Sequence, residues 1–238
     1  MFKPKVSVVI PTFNRFEYLL NAIESVNLQD YENLEIIVVN DASTQKEYYD
    51  YDFKKNIKKI DLDINFKEKL GFPTDAVRNE GVKIASGKYI AFLDDDDIWL
   101  ENKINIQVDK MESNKIKFSS TEGFFGNGVF DETKNYKLYN SKKFYKKIKY
   151  KFKDTKYYKN FEYPEIWDLD FIKIHNCIIT SSVMVEKDLF DTIGGFNTLP
   201  NGVGDYDCWL RLLKNTNLIY INEPLFYYDG SHGSGRNY

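Results

Sequence analysis

Four consecutive carboxylates, Asp94, Asp95, Asp96 and Asp97, follow directly on the apolar run Tyr89-Ile90-Ala91-Phe92-Leu93. Adjacent acids repel one another, so the run calls for a counter-ion, and hard oxygen donors of this kind suit Mg²⁺ or Mn²⁺ carried in by a diphosphate. In extended chain Asp94 and Asp96 face one side and Asp95 and Asp97 the other, so one pair can address a cation while the alternate pair addresses ribose hydroxyls or the backbone. The purely structural alternative is that Asp97 caps or charges the start of a following helix, which accounts for one acid of the four.

Two further carboxylates open the segment Gly204-Asp205-Tyr206-Asp207-Cys208-Trp209-Leu210-Arg211. A carboxylate within reach of a hydroxyl can take its proton as a new bond forms, an effect of roughly 10²–10⁴-fold. Asp205 is assigned to that chemistry and Asp207 to its support; otherwise one of them caps the helix and the other pairs with Arg211 at i,i+4 from Asp207. Arg78 offers a guanidinium that would neutralise pyrophosphate through multidentate hydrogen bonds, with a surface ion pair as its plainer role. Asp41 could accept from a ribose or a base N–H, or equally serve as an Asx-turn residue. Neither histidine has metal-ligand spacing. His175 reads as structural, whereas a closing lid could bring His232, in a polar tail, to a metal or diphosphate; its plainer reading is a solvated side chain.

The elements that must position these groups read as alternating strand and helix. Val6 to Ile10 is a β-branched run of the kind buried on both faces of a parallel sheet, and Pro11 ends it. Phe16, Leu19, Leu20, Ile23 and Val26 recur at helical spacing over about 15–26. Leu34 to Val39 predicts a second strand, followed by a weak helical stretch and a short third strand around 60–66. A helix over 74–85 carries Thr74 as its cap and leads through Ser86-Gly87 to the strand 89–93. The polar clusters Thr12 to Arg15, Asn40 to Ser43 and Asp94 to Asp97 then converge on the crevice beyond the carboxyl ends of the strands. Later in the chain, 178–185 and 218–221 read as strands, 193–196 as a tight turn, and 228–237 as a flexible glycine-rich tail.

Composition bounds the rest. The 238 residues can bury one sizeable core, and the formal charge of −3 gives no general reason to bind polyanions, so nucleic acid is not an expected partner. Cys177 and Cys208 read as two buried thiols in a reducing compartment, the cytosol. No run reaches the length of a membrane span, so no transmembrane segment is expected and a lipid-linked substrate would be met peripherally, at a membrane surface. Between about 135 and 163 the chain is dense in Lys and Tyr. The bland reading is a solvated helix or loop; the functional one is an acceptor-facing insertion in which rings stack on sugars and lysines meet phosphate.

Together, Val6-Ser7-Val8-Val9-Ile10-Pro11-Thr12-Phe13-Asn14-Arg15, Val39-Asn40-Asp41-Ala42-Ser43, Ala76-Val77-Arg78-Asn79-Glu80-Gly81, the stretch Gly87 to Asp97, Gly194-Gly195-Phe196 and Asp205 to Arg211 resemble the inverting glycosyltransferases of family 2. The resemblance covers most of residues 5–112 and 178–230 and leaves the middle insertion uncovered. It implies an α/β GT-A fold, with a Rossmann-like, mostly parallel central sheet flanked by helices. A nucleotide-sugar-binding half over 1–112 and an acceptor-side half over 113–238 would form one compact domain. It also implies metal-dependent transfer, with Mn²⁺ or Mg²⁺, from a nucleotide diphosphate sugar (a UDP-sugar as first choice) to a hydroxyl of a glycan, glycoprotein or glycolipid.

Carried over by position, the resemblance makes Pro11, Thr12, Asn14, Arg15, Asp41, Arg78, Asp94 and Asp95 nucleotide-sugar contacts. Asp94 and Asp96 correspond to the aspartates of the DXD motif, with Asp96 the preferred metal ligand and Asp95 nearer the ribose. Asp205 matches the second acid of the family's Glu-Asp pair, the catalytic base, while Gly204 stands where the family usually has Glu. A sugar-phosphate nucleotidyltransferase would need a glycine-rich phosphate loop after the first strand, where this chain has Pro11-Thr12-Phe13-Asn14-Arg15. An inactive sugar- or nucleotide-binding module of the same fold is the remaining alternative.

Overall fold

The structure is a computed structural model and describes residues 3–158, 162–200 and 203–231. Its elements are, in order, β1 (Val6–Thr12), α1 (Phe16–Asn27), β2 (Leu34–Asn40), α2 (Glu47–Asp50), β3 (Ile57–Asp61), α3 (Phe66–Leu70), a 3-10 turn (Asp75–Val77), α4 (Arg78–Ile84), β4 (Tyr89–Phe92), β5 (Ile98–Trp99) and α5 (Lys103–Asn114). There follow β6 (Phe118–Gly126), β7 (Lys137–Leu138), a π-helical turn (Tyr139–Lys143), α6 (Tyr145–Lys151), β8 (Ile166–Trp167), α7 (Leu169–Ile174), a 3-10 turn (Thr180–Ser182), β9 (Met184–Glu186), α8 (Lys187–Thr192), α9 (Gly204–Leu212) and β10 (Leu218–Asp229).

One sheet holds the chain together, in the order β3-β2-β1-β4-β9-β6-β10-β5, with β7 beside β6 and β8 beside β10. The β3-β2-β1-β4 part is parallel, as is the long β6–β10 pair, and the short pairings around them are antiparallel. Alternation along the strands divides the core between two faces. Val9, Ile37, Val39, Ile90 and Phe92 face one cluster, while Val8, Ile10, Ile36, Val38 and Ala91 face the other. Helix α1 covers the second with Phe16, Leu19, Ala22, Ile23 and Val26, each such side chain contributing roughly 1.5–3 kcal/mol when large and fully buried. Helix α4 lies so close to the sheet that a Cβ on Gly81 would sit 2.6 Å from Val9 Cγ1, so only glycine fits there.

Several sequence expectations need correction. The third strand lies earlier, at Ile57–Asp61, because Asn65 caps α3 where the strand was expected to end, accepting from the Lys67 and Glu68 N–H groups. The stretch expected as one helix over 74–85 is a 3-10 turn running into α4; Thr74 does cap it, its hydroxyl accepting the Ala76 N–H at 3.1 Å. The strand expected over 178–185 is confined to Met184–Glu186, since Thr180–Ser182 turn away to place three buried serine and threonine side chains. Strand β10 runs through Asp229, so Tyr228 and Asp229 belong to the sheet rather than to a flexible tail; residues 232–238, including His232, lie outside the described residues. Cys177 and Cys208 are free and buried, and no helix among the described residues is long and apolar enough to cross a membrane.

Candidate active site

The acidic run does not stay extended. The Asp97 N–H donates to the Asp94 carbonyl at 3.1 Å, closing a turn with Asp95 and Asp96 at its tip. The alternation of faces survives nonetheless: Asp95 and Asp97 are buried, and Asp94 and Asp96 are partly open. Asp97 caps no helix, because β5 follows it; its Oδ1 accepts the Asp229 N–H at 2.9 Å and ties the turn to β10. Burial pushes the Asp95, Asp96 and Asp97 carboxyls up and the adjacent aspartates add to that, while the Arg15 charge opposes it at Asp95 and Asp96.

Two guanidiniums answer this charge. Arg15 Nη1 reaches Asp96 Oδ2 at 2.9 Å and Asp95 Oδ1 at 3.3 Å. The loop that carries Arg15 is latched to the one after β2. Asn14 adopts φ 52°, a left-handed conformation that Asn tolerates, and its Oδ1 accepts the Thr44 N–H at 2.8 Å while its own N–H donates to Ser43 Oγ at 2.9 Å. The Tyr48 hydroxyl accepts the Arg15 N–H at 2.9 Å and shares a hydrogen bond with Thr12 Oγ1 at 2.6 Å. Pro11 is buried in β1, in register with Val39.

Arg78, the second guanidinium, lies at the start of α4. Nη2 bonds Asp94, and Nη1 bonds Asp75 Oδ1 at 3.0 Å. The other Asp75 oxygen accepts the Asp205 N–H at 3.0 Å. Asp94, Arg78, Asp75 and Asp205 therefore form one continuous hydrogen-bonded chain, so Arg78 is no surface ion pair. Asp75 escaped the sequence reading, although Thr74 as a cap and the i,i+3 spacing to Arg78 were visible signals. Gly204 explains the close approach: a Cβ there would lie 2.8 Å from Asp75 Oδ2, so Asp75 fills the space that any side chain at 204 would need.

Asp205 opens α9 with Oδ1 accepting the Tyr206 N–H at 2.5 Å, and burial, with the Asp75 charge behind it, pushes its carboxyl up to about 6. Asp207 turns away, to Arg211 Nε at 2.8 Å and Asn197 Nδ2 at 2.9 Å. Arg211 in turn donates to the Ile193 and Gly195 carbonyls at 2.7 and 2.6 Å, so Asp207 steadies the 193–196 turn and makes no bond to Asp205. That turn has Gly194 and Gly195 at φ 78° and 68°, as its two glycines suggest.

Asp41 stands apart from this chain of bonds. Its carboxylate accepts the Phe66 N–H and Asn65 Nδ2, both at 2.9 Å, and burial pushes it up to about 6. The Asx-type contact belongs to Asn40 instead, whose Oδ1 accepts the Ser43 N–H at 3.0 Å. Tyr139 and Tyr228 form an aromatic wall beside the acids, their ring centroids 5.5 Å apart at 82°. Burial pushes both hydroxyls up; the Asp97 charge adds at both and the Asp205 charge at Tyr139. His175 is half-buried, its pKa lowered by burial and by Lys151 and Lys147.

A divalent cation would find only oxygen donors here. Asp95 Oδ2 and Asp97 Oδ2 are buried without a hydrogen-bond partner among the described residues, so the two arginines do not satisfy the acidic turn completely. Among the described residues no three His, Cys, Asp or Glu side chains form a ready metal cage. The donor chemistry suits a cation of the kind held by one or two carboxylates with its other ligands supplied by a diphosphate and water; Asp94 and Asp96, the partly open acids, are here ion-paired with Arg78 and Arg15.

Comparison with known proteins gives the family and the fold. An uncharacterized glycosyltransferase of Rickettsia bellii is 46% identical over 117 residues, 49% of this chain and 16% of that protein, so the chain spans a small part of that relative's length. The Escherichia coli UDP-Glc:alpha-D-GlcNAc-diphosphoundecaprenol beta-1,3-glucosyltransferase WfaP is 38% identical over 114 residues, 48% of this chain and 44% of that protein. In fold, the chain is similar to S. aureus TarS 1-349 in complex with UDP-GlcNAc, with a TM-score of 0.69 at 19% identity over 97% of this chain and 60% of that one. This is the expected GT-A architecture. The family model described as Glycosyl transferase family 2 matches residues 7–189, and the chain belongs to that family.

Proposed function

We propose that this chain transfers a sugar from a nucleoside diphosphate donor, UDP-sugar by first choice, to a hydroxyl of a glycan or glycolipid, with inversion. The observation that carries the reading is the bonded chain Asp94–Arg78–Asp75–Asp205, which sets a cation-binding acid, a phosphate-binding guanidinium and a raised carboxylate side by side. Arg78 and Arg15 meet the diphosphate, Asp41 and Asp95 the nucleoside, and Thr12, Asn14 and Pro11 shape the loop beneath it. A Mn²⁺ or Mg²⁺ ion on Asp94 and Asp96 would supply positive charge against the departing diphosphate.

In the transfer itself the acceptor oxygen bonds to the anomeric carbon as the bond from that carbon to the diphosphate oxygen breaks. Asp205 takes the hydroxyl proton, and the nucleoside diphosphate leaves with the electron pair. Asp205 suits this because a base poised near neutrality both holds and releases a proton readily. The TarS complex and the WfaP name support a uridine donor, and the diphosphoundecaprenol in the WfaP name supports a lipid-linked acceptor, which would be met at a membrane surface.

The deciding experiment is a panel of nucleotide sugars with Mn²⁺, Mg²⁺ or EDTA, read by nucleoside diphosphate release and by thermal shift. Release with one donor, abolished by EDTA, is the expected result. Tight donor binding with no release under any condition would show an inactive binding module instead.

A further inference from the structure

We propose that the outer face of residues 142–156 is a docking surface for an anionic lipid bilayer. This stretch holds eight lysines against the single acid Asp154, a net +7 in a chain whose total is −3. Its α6 segment is two-sided. Phe144, Ile148 and Phe152 turn inward, the last two almost wholly buried, and Phe144 packs on Tyr139 with ring centroids 4.7 Å apart. Lys143, Lys146, Lys147, Lys151, Lys153 and Tyr150 lie on the exposed side, Tyr150 at 72% exposure.

Among the described residues these lysines form no ion pair with a carboxylate. Lys143, Lys149 and Lys156 lie over aromatic rings, but a solvated helix gains nothing from gathering like charges without carboxylate partners, since they repel one another. A bilayer with anionic headgroups uses that charge, and an exposed tyrosine among the lysines suits the headgroup layer, where its ring and hydroxyl both find company.

The face also lies where docking would matter. The Tyr139 ring, which Phe144 touches, belongs to the aromatic wall of the site, and Lys147 and Lys151 act on His175, next to Asn176, whose side chain reaches Asp205 at 3.5 Å. Seating this surface on a membrane brings the rim of the Asp205 side to the headgroups. The inference deepens the membrane-side part of the proposed function and rests on it for its purpose, but the binding it describes needs neither donor nor turnover.

The test is sedimentation with vesicles of phosphatidylcholine alone or with about 30 mol% phosphatidylglycerol. The expected result is binding to the anionic vesicles only, lost at ~0.5 M salt. Substituting Lys146, Lys147, Lys151 and Lys153 by Gln should lower the partition coefficient by at least ~10-fold. A control carrying Lys54→Gln, Lys55→Gln, Lys115→Gln and Lys214→Gln makes the same change in net charge at exposed positions elsewhere and should bind as the wild type does. Failure of the wild type to bind anionic vesicles overturns the proposal, as does binding to a soluble polyanion such as heparin in their place. Equal loss in both quadruple variants also overturns it, since net charge alone would then explain the effect. Donor hydrolysis measured on the same proteins reports separately on the proposed transfer: its absence with intact vesicle binding would remove the enzyme and leave the surface.

Discussion

Asp75 Oδ2 accepts the Asp205 backbone N–H at 3.0 Å, joining two residues 130 positions apart, while Asp75 Oδ1 holds Arg78. One side chain thus sets both the proposed base and the proposed phosphate ligand. Asp75→Ala should lower kcat by ~10–100-fold and raise the donor KM, because small displacements at a reacting centre are costly. Asp75→Asn, which keeps an acceptor oxygen, should recover part of kcat. Steady-state kinetics across the pair check this, and an unchanged Asp75→Ala enzyme would dismiss the linkage.

Gly204→Ala tests the same contact from the other side. Its Cβ would fall 2.8 Å from Asp75 Oδ2, so the variant should lose about 1–3 kcal/mol of stability along with activity. Urea unfolding measures the first, and a variant as stable as the wild type would mean that Asp75 has room to move.

Asp205→Asn should lower kcat by roughly 10²–10⁴-fold with donor affinity unchanged. In the wild type, kcat should fall as pH drops through about 6, where Asp205 gains a proton. Stability runs the opposite way. A carboxyl raised in the folded state contributes stability at low pH that is lost as pH rises through its folded value. Asp205→Asn should therefore melt above the wild type at pH 8, by on the order of 2 kcal/mol, with the gap closing near pH 4. Paired melts at the two pH values decide it.

Arg15→Ala leaves Asp95 and Asp96 with less positive charge beside them. The variant should unfold earlier without metal and gain more from millimolar Mn²⁺ than the wild type does. A thermal-shift titration reads this directly, and equal Mn²⁺ responses would argue against a cation at this turn.

Glu35 is buried with bonds from Ser7 Oγ at 2.5 Å, the Ser86 N–H at 2.7 Å and Lys5 Nζ at 2.8 Å. Burial pushes its carboxyl up, but the Lys5, Ser7, Ser86 and Lys58 bonds outweigh that and hold it well below the usual range. The stability this contributes is present above about pH 4 and lost as pH falls towards the folded value. Glu35→Gln should cost ~2–4 kcal/mol at pH 7 and progressively less in acid, as urea unfolding at several pH values would show.

The strands β1, β2 and β4 were legible because unbroken β-branched or apolar runs have few other homes, and the ends of those strands marked where Arg15, Asp41 and Asp94 would lie. The contact of Asp75 with Asp205 was not legible, although the spacing of Asp75 to Arg78 was. Asp205 is 130 residues distant, and only the fold brings Gly204 against Asp75. The later strands were legible only in part: the expected strand over 178–185 meets the three-residue β9 at its end, and that over 218–221 catches only the start of β10, which continues across Asn222, Glu223 and Pro224, where simple alternation breaks. The backbone turn at Asp95 and Asp96 is likewise invisible in a row of identical letters.

Strands drawn from before Trp99 and after Lys117 are hydrogen-bonded into the same sheet, with β9 between β4 and β6 and β5 along β10. Bending one half against the other would tear those ladders. The sheet that carries Asp94 at the end of β4 is therefore one continuous floor, which resists hinge-like motion between its two ends.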